Sequence, residues 1–275
     1  MRKLAIGGVL LVLGACAEAG SLENIVEVCG RPSASPEDTV RFCQRALASE
    51  KLDPEAAAQV NVNLGIGYFE LGHYGAAIDA YSAAIEDSPE IAAAWLNRAR
   101  ARERQGQLQE AVDDYAEALR LDPKAADAYL GRGALLLAHG DPKRAIDDFS
   151  RAVDLQQEWL AARYNRGLAH LALGNARDAA KDFTFVIERD EEDASAWMNR
   201  GRARAMLGET GAEGDFDRAI ELEPEWGAAW FARGQYRDEQ GERARADSDF
   251  LRADELGHAD PFLIERVREI SGGGA

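Results

Sequence analysis

A chain of 275 residues with 46% hydrophobic and 8% aromatic side chains can bury a core sufficient for one large or two medium domains. Its 49 acidic against 32 basic residues give a formal charge of -17, whose field repels phosphate and argues against nucleic acid or an anionic membrane surface as principal partner. The stretch NRARARERQG, with arginines at 98, 100, 102 and 104, is unexpected in so acidic a chain.

The first residues, MRKLAIGGVLLVLGAC, place Arg2 and Lys3 before an apolar run from Leu4 to Leu13 and then small residues, the layout of an export signal. That run is too short to cross a bilayer as a retained helix. Two cleavage readings are open. Leu13-Gly14-Ala15-Cys16 resembles the lipobox of bacterial lipoproteins, with residues 1–16 as the signal and Cys16 as the lipidated N-terminus. Ala15-Cys16-Ala17 instead fits ordinary signal peptidase, which would release a soluble periplasmic protein starting at Glu18. The short apolar region and the leucine three places before Cys16 favour the lipoprotein. Either way the protein is expected to be exported, and in an oxidising compartment Cys29 and Cys43 are expected to form a disulfide; two buried free thiols are the alternative. Residues 17–57 are expected to form a helical cap, with Leu22 to Leu52 as two helices joined through GRPSASP and stapled by that disulfide.

From residue 58 the chain repeats itself. A small residue recurs at Gly65, Ala99, Gly133, Gly167 and Gly201 with a period of 34, then at Gly234 after 33. Seven places later comes a glycine, at 72, 106, 140, 174, 208 and 241. An alanine follows at 77, 111, 145, 179, 212 and 246, and then an aromatic, at Tyr81, Tyr115, Phe149, Phe183, Phe216 and Phe250. Each period reads as two helices: the small residue allows close approach, the glycine permits the turn, and the aromatic fills the gap. Pro54, Pro89, Pro123 and Pro224 are expected to stop helices. These positions resemble the tetratricopeptide repeat family, with units at 58–91, 92–125, 126–159, 160–193, 194–226 and 227–260. Trp95, Trp197, Trp230 and Tyr129 take the family's aromatic position in the first helix. The resemblance implies an all-α fold, a right-handed α-solenoid of six helix-turn-helix units over 58–260. DPFLIERVREI and the tail SGGGA, residues 261–275, are expected to give a capping helix and a flexible end. Gln157, Glu191 and His258 stand where the family has its stopping proline, and the fifth unit is one residue short between Gly208 and Ala212, which leaves its stacking angle open.

Arg98, Arg132, Arg166, Arg200 and Arg233 precede the small position in units two to six, where the family more often has leucine. In the same units Asp114, Asp148, Asp182, Asp215 and Asp249 precede the second-helix aromatic, whereas unit one has Leu64 and Ala80 at the two places. This joint appearance predicts partly buried, bidentate ion pairs across packed helices. Arginines at every second position on a helix of 3.6 residues per turn spread charge around the rod, which disfavours a nucleic-acid groove.

The resemblance further implies that first helices line a groove recognising extended or helical peptides. Its candidate residues are an apolar floor of Leu130, Leu137, Tyr164, Leu168 and Leu171 with basic edges at Arg100, Arg104 and Arg202, suited to a peptide with hydrophobic and some acidic side chains. Packing of several of these leucines against neighbouring helices is the competing reading. Asn63, Asn97, Asn165 and Asn199 recur at one place in units one, two, four and five, similar to the asparagine ladder with which some tetratricopeptide superhelices hold a peptide backbone. The sequence holds no GxSxG, HExxH, P-loop or CxxC motif, and GIGYFELG lacks the third glycine and preceding strand of a dinucleotide loop. The acidic run ERDEEDAS reads as solvated surface. The expectation is a periplasmic scaffold or adaptor of the bacterial cell envelope, binding a partner peptide or protein and meeting a membrane only through lipid on Cys16. No enzyme activity, cofactor or metal is expected. A groove for a small molecule or for catalysis, or a self-assembling array, are the alternatives.

Overall fold

The structure, a computed structural model, describes residues 29–30, 35–49 and 52–272. The export segment and Cys16 lie outside the described residues. Within them the chain is helical throughout, without strands. In order come α1 (Pro36–Leu47), α2 (Pro54–Glu70), α3 (Tyr74–Asp87), α4 (Ala92–Arg104), α5 (Leu108–Leu121), α6 (Ala126–Ala138) and α7 (Pro142–Leu155). They are followed by α8 (Leu160–Ala172), α9 (Ala176–Ile187), α10 (Ala194–Leu207), α11 (Ala212–Leu222), α12 (Gly227–Glu239), α13 (Arg243–Glu255) and α14 (Pro261–Gly272). The chain divides into two compact units, one up to Ala128 and one from Tyr129. In the first, each helix from α1 to α5 packs on the next; in the second, those from α7 to α14 do the same. Such neighbour-on-neighbour packing is that of an α-solenoid.

The repeated residues explain each helical pair. Gly72 ends the α2–α3 turn at φ 76°, left-handed backbone that an L side chain rarely adopts, and the other five turn glycines have φ between 67° and 80°. At Gly65 an added Cβ would lie 2.4 Å from the Tyr81 ring, so the small position is what lets the aromatic of the second helix close on the first. All six second-helix aromatics are at most 1% exposed. Burial pushes the Tyr81 and Tyr115 phenols well above their ordinary range.

Helix ends differ from expectation in instructive ways. Pro54 does not stop a helix: it opens α2, behind Asp53, whose carboxylate accepts from Ala56 N at 2.8 Å. The cap boundary expected at 57/58 therefore falls inside α2. The prolines after the second helices supply a carbonyl as well as a stop: Trp95 Nε1 donates to Pro89 O at 2.8 Å and Trp230 Nε1 to Pro224 O at 2.9 Å. Glu191 O receives Trp197 Nε1 at 2.9 Å in the same way, and Gln157 O receives Arg163 Nε at 3.0 Å, with Arg163 in the tryptophan's place. A carbonyl at this point, which any residue provides, is what the turn requires. The missing residue of unit five is absorbed between Gly208 and Ala212, where α10 ends and α11 begins.

Both ends of the repeats are covered. Cys29 and Cys43 form a disulfide, and with Ala46 they pack on Val60, Leu64 and Ala80, so α1 seals the free side of α2. At the other end α14 runs in the register of a further first helix, burying Leu263 against Phe231 and Phe250. Arg268 stands where that register has its small residue, 34 places after Gly234. The disulfide closes a loop with a sequence separation of 14, for which chain entropy gives about 3 kcal/mol. Because solenoid stability is mostly nearest-neighbour, reduction should raise amide exchange chiefly in α1 and the start of α2; equal exchange with and without reductant would show that the crosslink contributes nothing there.

Candidate functional site

The five expected ion pairs form. In each, Arg Nε and Nη2 meet the two carboxylate oxygens of the aspartate at 2.7–2.9 Å. The aspartates are 2–5% exposed. The remaining guanidinium nitrogen reaches back to the preceding second helix: Arg98 to Ser82 at 2.9 Å, Arg166 to Ser150 and Arg200 to Thr184 at 3.4 Å, and Arg233 to Asp217 at 2.7 Å. Aromatic rings one turn earlier cover the guanidinium, Trp95, Trp197 and Trp230 at 4.6–4.8 Å and Tyr129 at 6.0 Å. The hydrogen bonds that Arg132 donates to Asp148 raise its pKa in spite of burial, and those to Asp182 do so for Arg166. Leu64 and Ala80, each 7% exposed, fill the same space in unit one with apolar atoms.

A second cation often joins the pair from one turn further on. Arg102, Arg204 and Arg237 contact Asp114, Asp215 and Asp249 at 2.7–2.8 Å. Leu136 and His170 hold this place in units three and four. Burial lowers the His170 pKa, and its Nδ1 is buried without a hydrogen-bond partner.

These contacts also account for the arginine-rich stretch: Arg98 and Arg102 hold Asp114, Arg100 pairs with Asp127 at 3.0 Å, and Arg104 lies 5.0 Å from the Tyr74 ring centre. In the first unit, then, the basic edges expected at Arg100 and Arg104 have internal partners, while Asn63 and Asn97 are half-buried. In the second unit Leu130 and Leu137 pack around Phe149, and Tyr164, Leu168 and Leu171 around Phe183, all half-buried. Asn165 Nδ2 donates to Ala161 O at 2.9 Å within its own helix. Asn199 is 3% exposed and its Nδ2 donates to Ser195 O and to the Tyr164 hydroxyl, both at 3.0 Å, which ties α10 to α8. Arg202 is exposed.

Beside Asn165 the first-helix face opens into a cleft of about 410 Å³. It is lined by Leu160, Ala161, Tyr164 and Asn165 of α8 and Val186 of α9, together with Asp190, Asp193 and Ser195 at the N-terminal end of α10. Asp193 caps α10 by accepting from Ala196 N at 2.9 Å, and Asp190 accepts from Glu192 N at 3.1 Å. Burial pushes the Tyr164 phenol up, so the ring meets the cleft neutral. The three end residues belong to ERDEEDAS, which reads from sequence as mere solvated surface. The available signal was a comparison between repeats: Trp159 and Trp226 occupy the place of Asp193 one repeat before and one after.

Serially stacked helical hairpins, joined by buried ion pairs and exposing a cleft along their first helices, define an α-solenoid repeat protein whose working parts are surfaces. A tetratricopeptide repeat model matches residues 62–126, 103–158 and 164–214, together more than half of the chain, and the protein belongs to the tetratricopeptide repeat family. Members of this family are in general protein-interaction scaffolds. Among solved structures, YrrB, described as a tetratricopeptide repeat protein with an unusual peptide-binding site, is 25% identical at a TM-score of 0.64, covering 70% of this chain and 97% of that one. A tetratricopeptide repeat protein from Parabacteroides merdae is 20% identical at 0.61, covering 90% and 97%. MamA is 22% identical at 0.58, covering 62% and 93%. The last two likenesses bear on the fold alone. No curated protein matches the sequence.

Two consequences for stability follow from the paired residues. Arg132→Ala strands Asp148 in a buried place and should cost about 3 kcal/mol in thermal or denaturant unfolding. The double change Arg132→Leu with Asp148→Ala, which copies unit one, should recover most of that loss; equal destabilisation by both variants would contradict the pairing energetics. For His170 the unfolded chain takes up a proton that the folded chain resists. Its contribution is therefore intact above the ordinary imidazole value of 6.5 and is lost as pH falls below it. His170→Leu should flatten the pH dependence of melting between pH 7 and 5, and an unchanged slope would remove His170 from the account.

Proposed function

We propose that the protein is a scaffold or adaptor of the bacterial cell envelope that holds a segment of a partner protein along its first-helix face, tethered to a membrane by lipid on Cys16. The cleft beside Asn165 carries the binding reading: it is open, partly apolar and edged by amide and carboxylate groups that can fix a peptide. Family membership and the likeness to a peptide-binding relative support it. The export reading is supported by the charged and apolar first residues with the lipobox, and by a buried disulfide, which suits an oxidising compartment.

A photo-crosslinking residue in place of Ala161, exposed at the cleft, should capture a discrete envelope protein in living cells, whereas one in place of Arg151 on the second helix of unit three should not. Capture from Arg151 alone would place the working surface elsewhere. Intact mass of the membrane fraction without reductant should show an acylated chain beginning at Cys16 with two hydrogen atoms fewer than the free dithiol. A mature chain beginning at Glu18 would replace the tether by release into the periplasm.

A further inference from the structure

Two carboxylates line the cleft without an ion-pair partner among the described residues, although Arg202 acts on Tyr164 from nearby. Asp148, Asp182, Asp215 and Asp249 each meet a guanidinium within the second unit. Asp190 and Asp193 each have a backbone amide as hydrogen-bond partner, but neither has a lysine or arginine partner among the described residues. The nearest arginine in sequence, Arg189, is committed to Glu158 at 2.6 Å and Glu188 at 3.7 Å. The same cleft is lined by Val186, 2% exposed, and by Leu160 and Tyr164, both half-buried. Asp193 stands at the point where the repeats before and after have Trp159 and Trp226.

An open cleft that combines apolar side chains with two carboxylates lacking a lysine or arginine partner matches a side chain with an aliphatic stem and a cationic head. The next junction repeats the chemistry, with Glu223 and Glu225 beside Trp226 at a depression of about 620 Å³, and an indole face also favours a cation. No group of three or more histidine, cysteine or acidic side chains among the described residues is placed to hold a metal ion, so an organic cation suits the cleft better than a metal.

We infer that the cleft between α8 and α10 is a subsite for a lysine or arginine side chain of the bound partner segment, with the stem along Leu160 and Val186 and the head between Asp190 and Asp193. This rests on the groove reading above and sharpens it: the partner segment is basic where it meets unit four, not acidic as the arginines of the first helices suggest. The chain's charge of -17 would speed the approach of such a segment, and the two carboxylates would fix its register.

The test uses short random peptides displayed on phage, selected on the mature chain and sorted by crosslinking from position 161. Selected peptides should be enriched in lysine or arginine. Asp190→Asn with Asp193→Asn should weaken them on the order of tenfold, in a salt-dependent manner. Asparagine keeps the acceptor that caps α10, so the fold should survive, as an unchanged melting curve would show. Glu86→Gln with Asp87→Asn removes the same charge from an exposed part of the first unit and should change affinity less than about twofold. Peptides that crosslink at 161 but lack basic residues, or bind both variants alike, would overturn the subsite and leave the groove. Equal weakening by the two variant pairs would reduce the effect to net charge and overturn it as well. Selection without any crosslink at 161 would remove both readings together.

Discussion

The bidentate pair between a first-helix arginine and a second-helix aspartate is the contact on which the array depends. Its aspartate is almost fully buried, so it cannot be left alone, and its guanidinium has donors enough to satisfy the carboxylate and still reach the helix before. One side chain thus fixes three helices. Unit one fills the same space with Leu64 and Ala80, which shows that apolar packing can replace the pair locally. What the pair adds is direction, because a planar fork accepts its carboxylate in one orientation only. Unit five illustrates the point: with a residue missing from its turn, Arg200 and Asp215 still meet at 2.7 and 2.9 Å.

Because that scaffold holds eight arginines in its pairs and acidic residues outnumber basic ones 49 to 32, the charges left to face a partner are mainly acidic. An acidic chain is therefore not simply a basic-stretch protein with excess carboxylates. Some of its cations are folded into rungs, and its anions include both buried ones with partners and others, such as Asp190 and Asp193, that line an open cleft without an ion-pair partner. The asparagine at one repeat position illustrates a similar division: Asn165 borders the cleft, whereas Asn199 is committed to Tyr164 and holds two first helices together.

Much of the fold was legible in the sequence because a repeat offers its own controls. Six copies of a small residue, a glycine and an aromatic in phase fix where helices pair, and the joint absence of arginine and aspartate from unit one was enough to predict which side chains meet. Pro54 misled because proline suits both the place after a helix and the first place within one, and only the Asp53 cap decides between them. The cleft was harder. In a chain with 49 acidic residues a run such as ERDEEDAS looks like any solvated face, and its meaning depends on an indole that is missing at that point but present one repeat away. Likewise the commitment of Asn199 depends on Tyr164, 35 positions earlier, a separation no local pattern reports.

Stacked repeats have no intrinsic length, since the last first helix exposes the same surface on which every earlier second helix was laid. α14 offers that surface with Arg268 in the one position that must be small. An aromatic from another molecule, arriving as Phe250 arrives at Gly234, would meet a long charged side chain instead of a gap. A head-to-tail contact of this kind is heterologous and does not close, and it would have to displace α1 at one end as well as accommodate Arg268 at the other. The residue that closes the register is thus the one whose size would decide whether another helix could be laid on it.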